Sequence, residues 1–254
     1  MTSSTPPPLC IVDDATFWAW RRWPEFARWE NPAATVVVVP LAGCADWGLG
    51  HALDAEETVL MTVLRSAVQL RDATSPVLVT PPLRFVAGPS PASVFAVDVP
   101  TAHAFIAEVA GSVAASGFRR IVLLNASPWN EEVVVAASRD LRIALGVQVF
   151  TIQLSALGLD FHPTRSPDRR RLQSLITALT GRMPDAPPAR EIAPPGWGED
   201  YLVPLRGPAL SLPEAKATAD ATLSPVTQLL ARLLGEIQQH PPLADNGRIS
   251  TVQS

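Results

Sequence analysis

The chain has 254 residues, 47% of them hydrophobic and 17% charged, with 24 acidic against 20 basic side chains. This supplies enough apolar material for a sizeable core and too little charge for charge-driven disorder. The net charge of −4 argues against a basic groove for nucleic acid, whose binding relies on counterion release.

Met1–Leu9 is rich in Ser, Thr and Pro, with neither a basic start nor an apolar signal core. It reads as part of a flexible segment, 1–13, of a cytoplasmic protein. No run of about 20 apolar residues is present, so no membrane span is expected. Cys10 and Cys44 are too few for a disulfide framework. Of the basic residues only Lys216 is not Arg. Together with the Ala and Pro richness this is a genomic bias, so no single Arg points to a function.

Asp14–Arg28 mixes Phe17, Trp18, Trp20, Trp23 and Phe26 with arginines. It predicts one or two short helical turns broken before Pro24, packed as an amphipathic edge on the domain or on a partner subunit. Thr35–Val39 are five consecutive β-branched residues without polar alternation, followed by Pro40. Such a run fits a strand buried on both faces of a parallel sheet. After a loop over Leu41–His51, apolar residues recur at helical period from Ala55 to Leu70. Pro76–Thr80 is a second buried strand, and a Pro/Gly-rich loop, Arg84–Ser93, leads to a weaker extended stretch, Val94–Val99. Thr101–Ser116 is a helix capped by Gly117, Arg120–Asn125 a third strand, Glu131–Leu145 a helix and Gly146–Ile152 a fourth strand. This alternation predicts an α/β fold with a mainly parallel central sheet flanked by helices, three layers in all. Further on, Arg169–Leu179 predicts a helix, 183–208 a Pro/Gly-rich loop and Ser224–Gln238 a final helix. One domain over 14–240 and a disordered tail over 241–254 complete the expected organisation.

In open parallel sheets, ligands bind beyond the carboxyl ends of the strands. Several segments of the chain resemble the creatininase (creatinine amidohydrolase) family: Trp23-Pro24-Glu25, Val37–Gly43, Pro81-Pro82-Leu83, Gly117–Asn125 and Asn130. Ala215–Ala219 stands where that family has an Ala-Thr-Ala-Glu-Lys-Gly-like stretch. The resemblance covers Trp18–Ile152 and, loosely, the C-terminal helix. It implies a creatininase-like fold, oligomers that are often hexamers, and hydrolysis of a cyclic amide or other C–N bond by two divalent metals such as Zn or Mn.

The family pattern after the first strand is Pro-x-Gly-Ser-x-Glu-x-His-Gly, with an Asp eight residues on. Aligned on Pro40 and Gly48, it places Ala45 at the metal-binding Glu, Trp47 at the His and Glu56 at the bridging Asp. After the third strand, Asn-Gly-His-x-(Glu or Gly)-Asn becomes Asn125-Ala126-Ser127-Pro128-Trp129-Asn130. A hydrolytic metal needs three or more N or O ligands and an open position for water. Glu56 is the one ligand position retained, so no metal or other cofactor is expected.

Other groups offer alternatives. Asp46, His51, Asp54, Glu56 and Glu57 lie within twelve residues. They either rebuild a site or solvate the loop and the first helical turn, where acids suit the dipole. Cys44 near His51 imitates a Cys–His nucleophile pair but lacks an orienting third group. Gly43, Gly48 and Gly50 match no phosphate-binding fingerprint. Arg169-Arg170-Arg171 reads as solvated, or paired with a neighbouring subunit, rather than as an anion grip. Cys44, Ala45, Trp47, Ser127 and Trp129 are expected to line the pocket, the two tryptophans either plugging it or flooring it for a planar ligand.

Three functions remain. The expected one is a non-catalytic structural or regulatory subunit, self-associating or joined to an active creatininase-family paralogue. The alternatives are an amidohydrolase rebuilt around Glu56 with Asp46, His51 or Asn130, and a small-molecule binding module.

Overall fold

The computed structural model describes residues 15–71, 76–88, 93–162, 165–166, 169–185 and 211–241. Cys10, the 1–13 segment, the tail beyond Pro241 and all but Met183–Asp185 of the Pro/Gly-rich loop lie outside the described residues. A parallel sheet of order β3-β1-β8-β9 forms the centre, from β3 (Val77–Val79), β1 (Val36–Ala42), β8 (Arg120–Asn125) and β9 (Gln148–Gln153). A fifth strand, β4 (Leu83–Arg84), pairs with β1 beyond the end of β3.

Period-two alternation divides the core between two layers of helices. Val36, Val38 and Ala42 of β1, with Val122 and Leu124 of β8, face α2 (Ala55–Gln69), α5 (Arg169–Thr180) and α6 (Leu212–Gln239). Val37, Val39 and Leu41, with Ile121 and Leu123, face α3 (Val99–Ala115) and α4 (Glu131–Leu145). Both faces are covered, which is why these strands read as unbroken apolar runs.

Pro40 sits inside β1 although a proline cannot donate to the ladder. Even-numbered residues of β1 bond toward β3 and β4: Val36 N donates to Pro76 O, Val38 O accepts from Thr80 N, and Ala42 O accepts from Phe85 N. Pro40 thus meets the gap between β3 and β4, where Pro81 and Pro82 also lack donors. None of these three prolines has an N–H to leave unpaired there.

Helix ends follow local chemistry. Asp98 caps α3 by accepting from Thr101 N at 2.7 Å, and Gly146 ends α4 in the left-handed conformation at φ 60°. Most bounds shift by a residue or two, α3 for instance starting at Val99 rather than Thr101, and two differ in kind from the sequence reading. Pro24 lies in the first turn of α1 (Trp23–Ala27), where a proline fits, and the break falls earlier, after a 3-10 turn at Trp18–Trp20. Trp18, Phe26 and Trp29 pack around Phe118, so this edge is used within the chain.

The second difference is α6, which begins at Leu212 rather than near Ser224. Ser211 and Glu214 form a reciprocal capping box at its start. Ala215, Ala219, Thr222 and Val226 carry its buried stripe through Pro225. Small side chains concealed that stripe in the sequence. No described helix is long and apolar enough to cross a membrane.

Candidate functional site

The parallel register sets Leu41, Asn125 and Gln153 abreast at the carboxyl end of the sheet. Asn125 Nδ2 donates to Gln153 Oε1 and to Ser127 O, both at 2.7 Å, and its Oδ1 accepts from Ser127 N. This carboxamide fixes the turn that carries Ser127 and Trp129. Opposite it, β1 runs into Gly43, whose N–H donates to Glu56 Oε2 at 2.6 Å.

Gly43 is required by space. A Cβ there would lie 2.7 Å from Val86 Cγ2, 3.0 Å from Ser127 Oγ and 3.1 Å from Glu56 Oε2. Gly43→Ala is therefore expected to cost about 1–3 kcal/mol by overpacking, read as a lower urea midpoint. Adding Val86→Ala should make the pair less destabilised than the sum of the two singles.

Glu56, on the first turn of α2, is fully buried. Its Oε1 accepts from Trp47 Nε1 at 2.9 Å. Burial pushes its carboxyl up to about 7, against the opposing pull of Gly43, Trp47 and the nearby Ser127 hydroxyl. That hydroxyl is itself buried without a well-aligned partner. Trp47 stacks on Trp129 with ring centroids 5.7 Å apart and planes at 18°, and packs against Phe161. Trp47 is a plug: at 6% exposure its ring offers no face to a ligand.

The other predicted residues are occupied elsewhere. Asn130 is a backbone clamp, accepting from Ala87 N at 2.8 Å and donating to Phe85 O at 2.9 Å. It holds Phe85–Ala87, including β5 (Val86–Ala87), over the strand ends. His51 Nε2 meets Gln173 O and Thr177 Oγ1 on α5, and burial lowers its pKa. Asp46 Oδ1 accepts from Gly48 N within its own turn. Cys44 lies in β2 (Cys44–Ala45), paired with β6 (Ser93–Val94). Burial and the charges of Glu56 and Glu57 push its thiol up, away from a nucleophilic thiolate. Glu57 is taken by Arg84, in a two-pronged ion pair at 2.6 and 2.8 Å.

The chain beyond β9 brings in groups that the sequence reading left aside. Arg165 pairs with Glu131 and Asp160. His162 packs edge-on to Trp129 at 5.2 Å, and desolvation together with Arg165 lowers its pKa. Arg169, read from the sequence as solvated or paired with a neighbouring subunit, is buried at 8% exposure and donates to Trp47 O. The signal for this group was positional: the segment follows a strand end.

The donor set does not fit a metal pair. Glu56 spends both oxygens on internal N–H donors, Trp47 offers only a donor, and Ala45 offers nothing. Among the described residues no three His, Cys, Asp or Glu side chains gather where they could hold a metal ion.

Comparison with known proteins places this geometry. The creatininase (creatinine amidohydrolase) family profile matches residues 20–180. No curated protein matches by sequence. Among solved structures, a candidate creatinine amidohydrolase from Bacteroides fragilis is similar at a TM-score of 0.65 and 14% identity, over 90% of this chain and 98% of its own. A creatinine amidohydrolase (creatininase) gives 0.62 at 18% identity over 91% and 100%. A manganese form of creatininase gives 0.58 at 18% over 89% and 98%. Identities this low establish a shared fold.

Proposed function

The chain belongs to the creatininase family, and we propose that it is a non-catalytic member of it, a cytoplasmic structural or regulatory subunit of a homo- or hetero-oligomer. One observation carries this reading: the single carboxylate retained at a family ligand position is turned inward, onto Gly43 N and Trp47 Nε1. A metal at Glu56 would have to displace both donors and the stacked ring above them. The residues that a rebuilt hydrolase would recruit serve structural contacts instead: Asn130 in a backbone clamp, His51 on α5 and Asp46 in its own turn. A self-assembling scaffold and a companion to an active paralogue both suit a pocket that has kept its walls without its ligands.

The test is metal content together with partner capture. Protein expressed with added zinc or manganese should carry no stoichiometric metal after desalting and should not hydrolyse creatinine. Isolated from its native host, it should co-purify as an oligomer, with itself or with an intact family member. Two metals per chain, lost in Glu56→Ala, would overturn the reading, as would a strictly monomeric chain.

A further inference from the structure

We infer that Arg169 anchors a binding site for the carboxylate group of a small molecule, beside the Trp47–Trp129 stack. Two arginines are buried among the described residues, Arg120 and Arg169, and they are treated very differently. Arg120 gives Nε to Gln148 Oε1, Nη1 to Ala34 O and Nη2 to His240 O, so every nitrogen has an acceptor. Arg169 gives only Nη2, to Trp47 O, while Nε and Nη1 are buried without a partner. A guanidinium cannot shed its charge to escape such a position. Buried donors of this kind are rarely left unmatched in a native protein.

The surroundings define the missing acceptor. Arg169 makes no ion pair among the described residues, and the carboxylate that acts on it through space is that of Asp46. Asp46 already accepts from Gly48 N. The adjacent cation, Arg165, is spent on Glu131 and Asp160. One uncommitted cation with acidic groups nearby suits a monoanion. A phosphate dianion would add a second negative charge close to Asp46, whereas a planar carboxylate matches guanidinium donors with less of that repulsion. Trp129 and Phe161 pack on Trp47, whose carbonyl Arg169 holds, and His162 lies edge-on to Trp129, so the body of the ligand meets the aromatic surface of Trp129 and His162. Trp129 and His162 are only partly buried, and these are the rings a ligand would displace on entry. The site is independent of whether Glu56 takes part in catalysis.

The experiment titrates the full chain with sodium benzoate, sodium acetate and sodium phosphate at constant ionic strength, with chloride as the blank. Tryptophan fluorescence and calorimetry are the readouts. Benzoate is expected to bind saturably at one site per chain and to change the emission, with acetate weaker and phosphate weakest. Arg169→Gln and Arg169→Lys should each weaken benzoate at least tenfold, since lysine keeps the charge but loses the fork. Arg182→Gln, an exposed control, should bind as wild type does. If Arg169→Gln fails to fold, the wild-type and Arg169→Lys titrations decide. Absence of saturable benzoate binding to the wild type, equal binding by the Arg169 variants, or tighter binding of phosphate would each overturn the proposal.

Discussion

Trp47→Ala should remove about 3–5 kcal/mol of folding stability, the usual cost of truncating a buried indole. Trp47 is 6% exposed, stacks on Trp129 and packs against Phe161, so its loss opens a cavity in the strand-end cluster. It also leaves Glu56 Oε1 without the indole donor at 2.9 Å. Trp47→Phe separates the two contributions, because phenylalanine fills much of the space but cannot donate. The phenylalanine variant should lose about 1–3 kcal/mol, the penalty for an unmatched buried acceptor. Urea denaturation followed by circular dichroism measures both. Equal, near-zero losses in the two variants would mean that the indole neither fills nor satisfies the pocket.

Glu56 should make the protein less stable as pH rises from about 4.5 to about 7. Burial raises the folded-state pKa above the ordinary value of 4.5, so across that window the folded chain holds a proton that the unfolded chain has released. Stability then falls with rising pH. The contribution is fully present below about 4.5 and lost once the pH has passed about 7. At about 1.4 kcal/mol per unit the whole effect is about 3 kcal/mol. Glu131, with its pKa lowered by Arg165 and Ser155 against the effect of burial, acts in the opposite sense, losing stability as pH falls. The clean measurement is therefore the difference between wild type and Glu56→Gln, in urea at closely spaced pH values. That difference should decline through the window and level off above it. The glutamine variant should itself start lower, because its amide turns a donor toward Gly43 N or Trp47 Nε1. A difference that stays flat from pH 4 to 8 would mean that Glu56 does not titrate there.

The sheet was legible because its strands are buried on both faces. Arg120–Asn125 and Glu131–Leu145 have the bounds expected, since an apolar run and a left-handed Gly146 mark their ends. The first twelve residues of α6 were not legible, because Ala and Thr line its buried stripe and Pro225 imitates a helix start. At the site, the spacing from Pro40 to Glu56 placed Trp47 and Glu56 in one pocket, and they touch. Roles were harder to read than places. Asn130 was a catalytic candidate by type and is a clamp on Phe85–Ala87, because only the folded chain shows which backbone its carboxamide meets. The same holds for Arg169, one of a basic triplet whose neighbours on the helix face outward more than it does.

The prolines where β3 hands over to β4 bear on how this pocket could change its chemistry. Pro40, Pro81 and Pro82 remove the hydrogen-bonding demand at one point of the sheet, and Asn130 draws the departing segment over the strand ends. That canopy is held by Asn130, by the pairing of Leu83 and Arg84 with β1 and by the Arg84–Glu57 ion pair. Side chains beneath it, such as Ala45 and Ser127, can therefore be exchanged with no rerouting of the main chain.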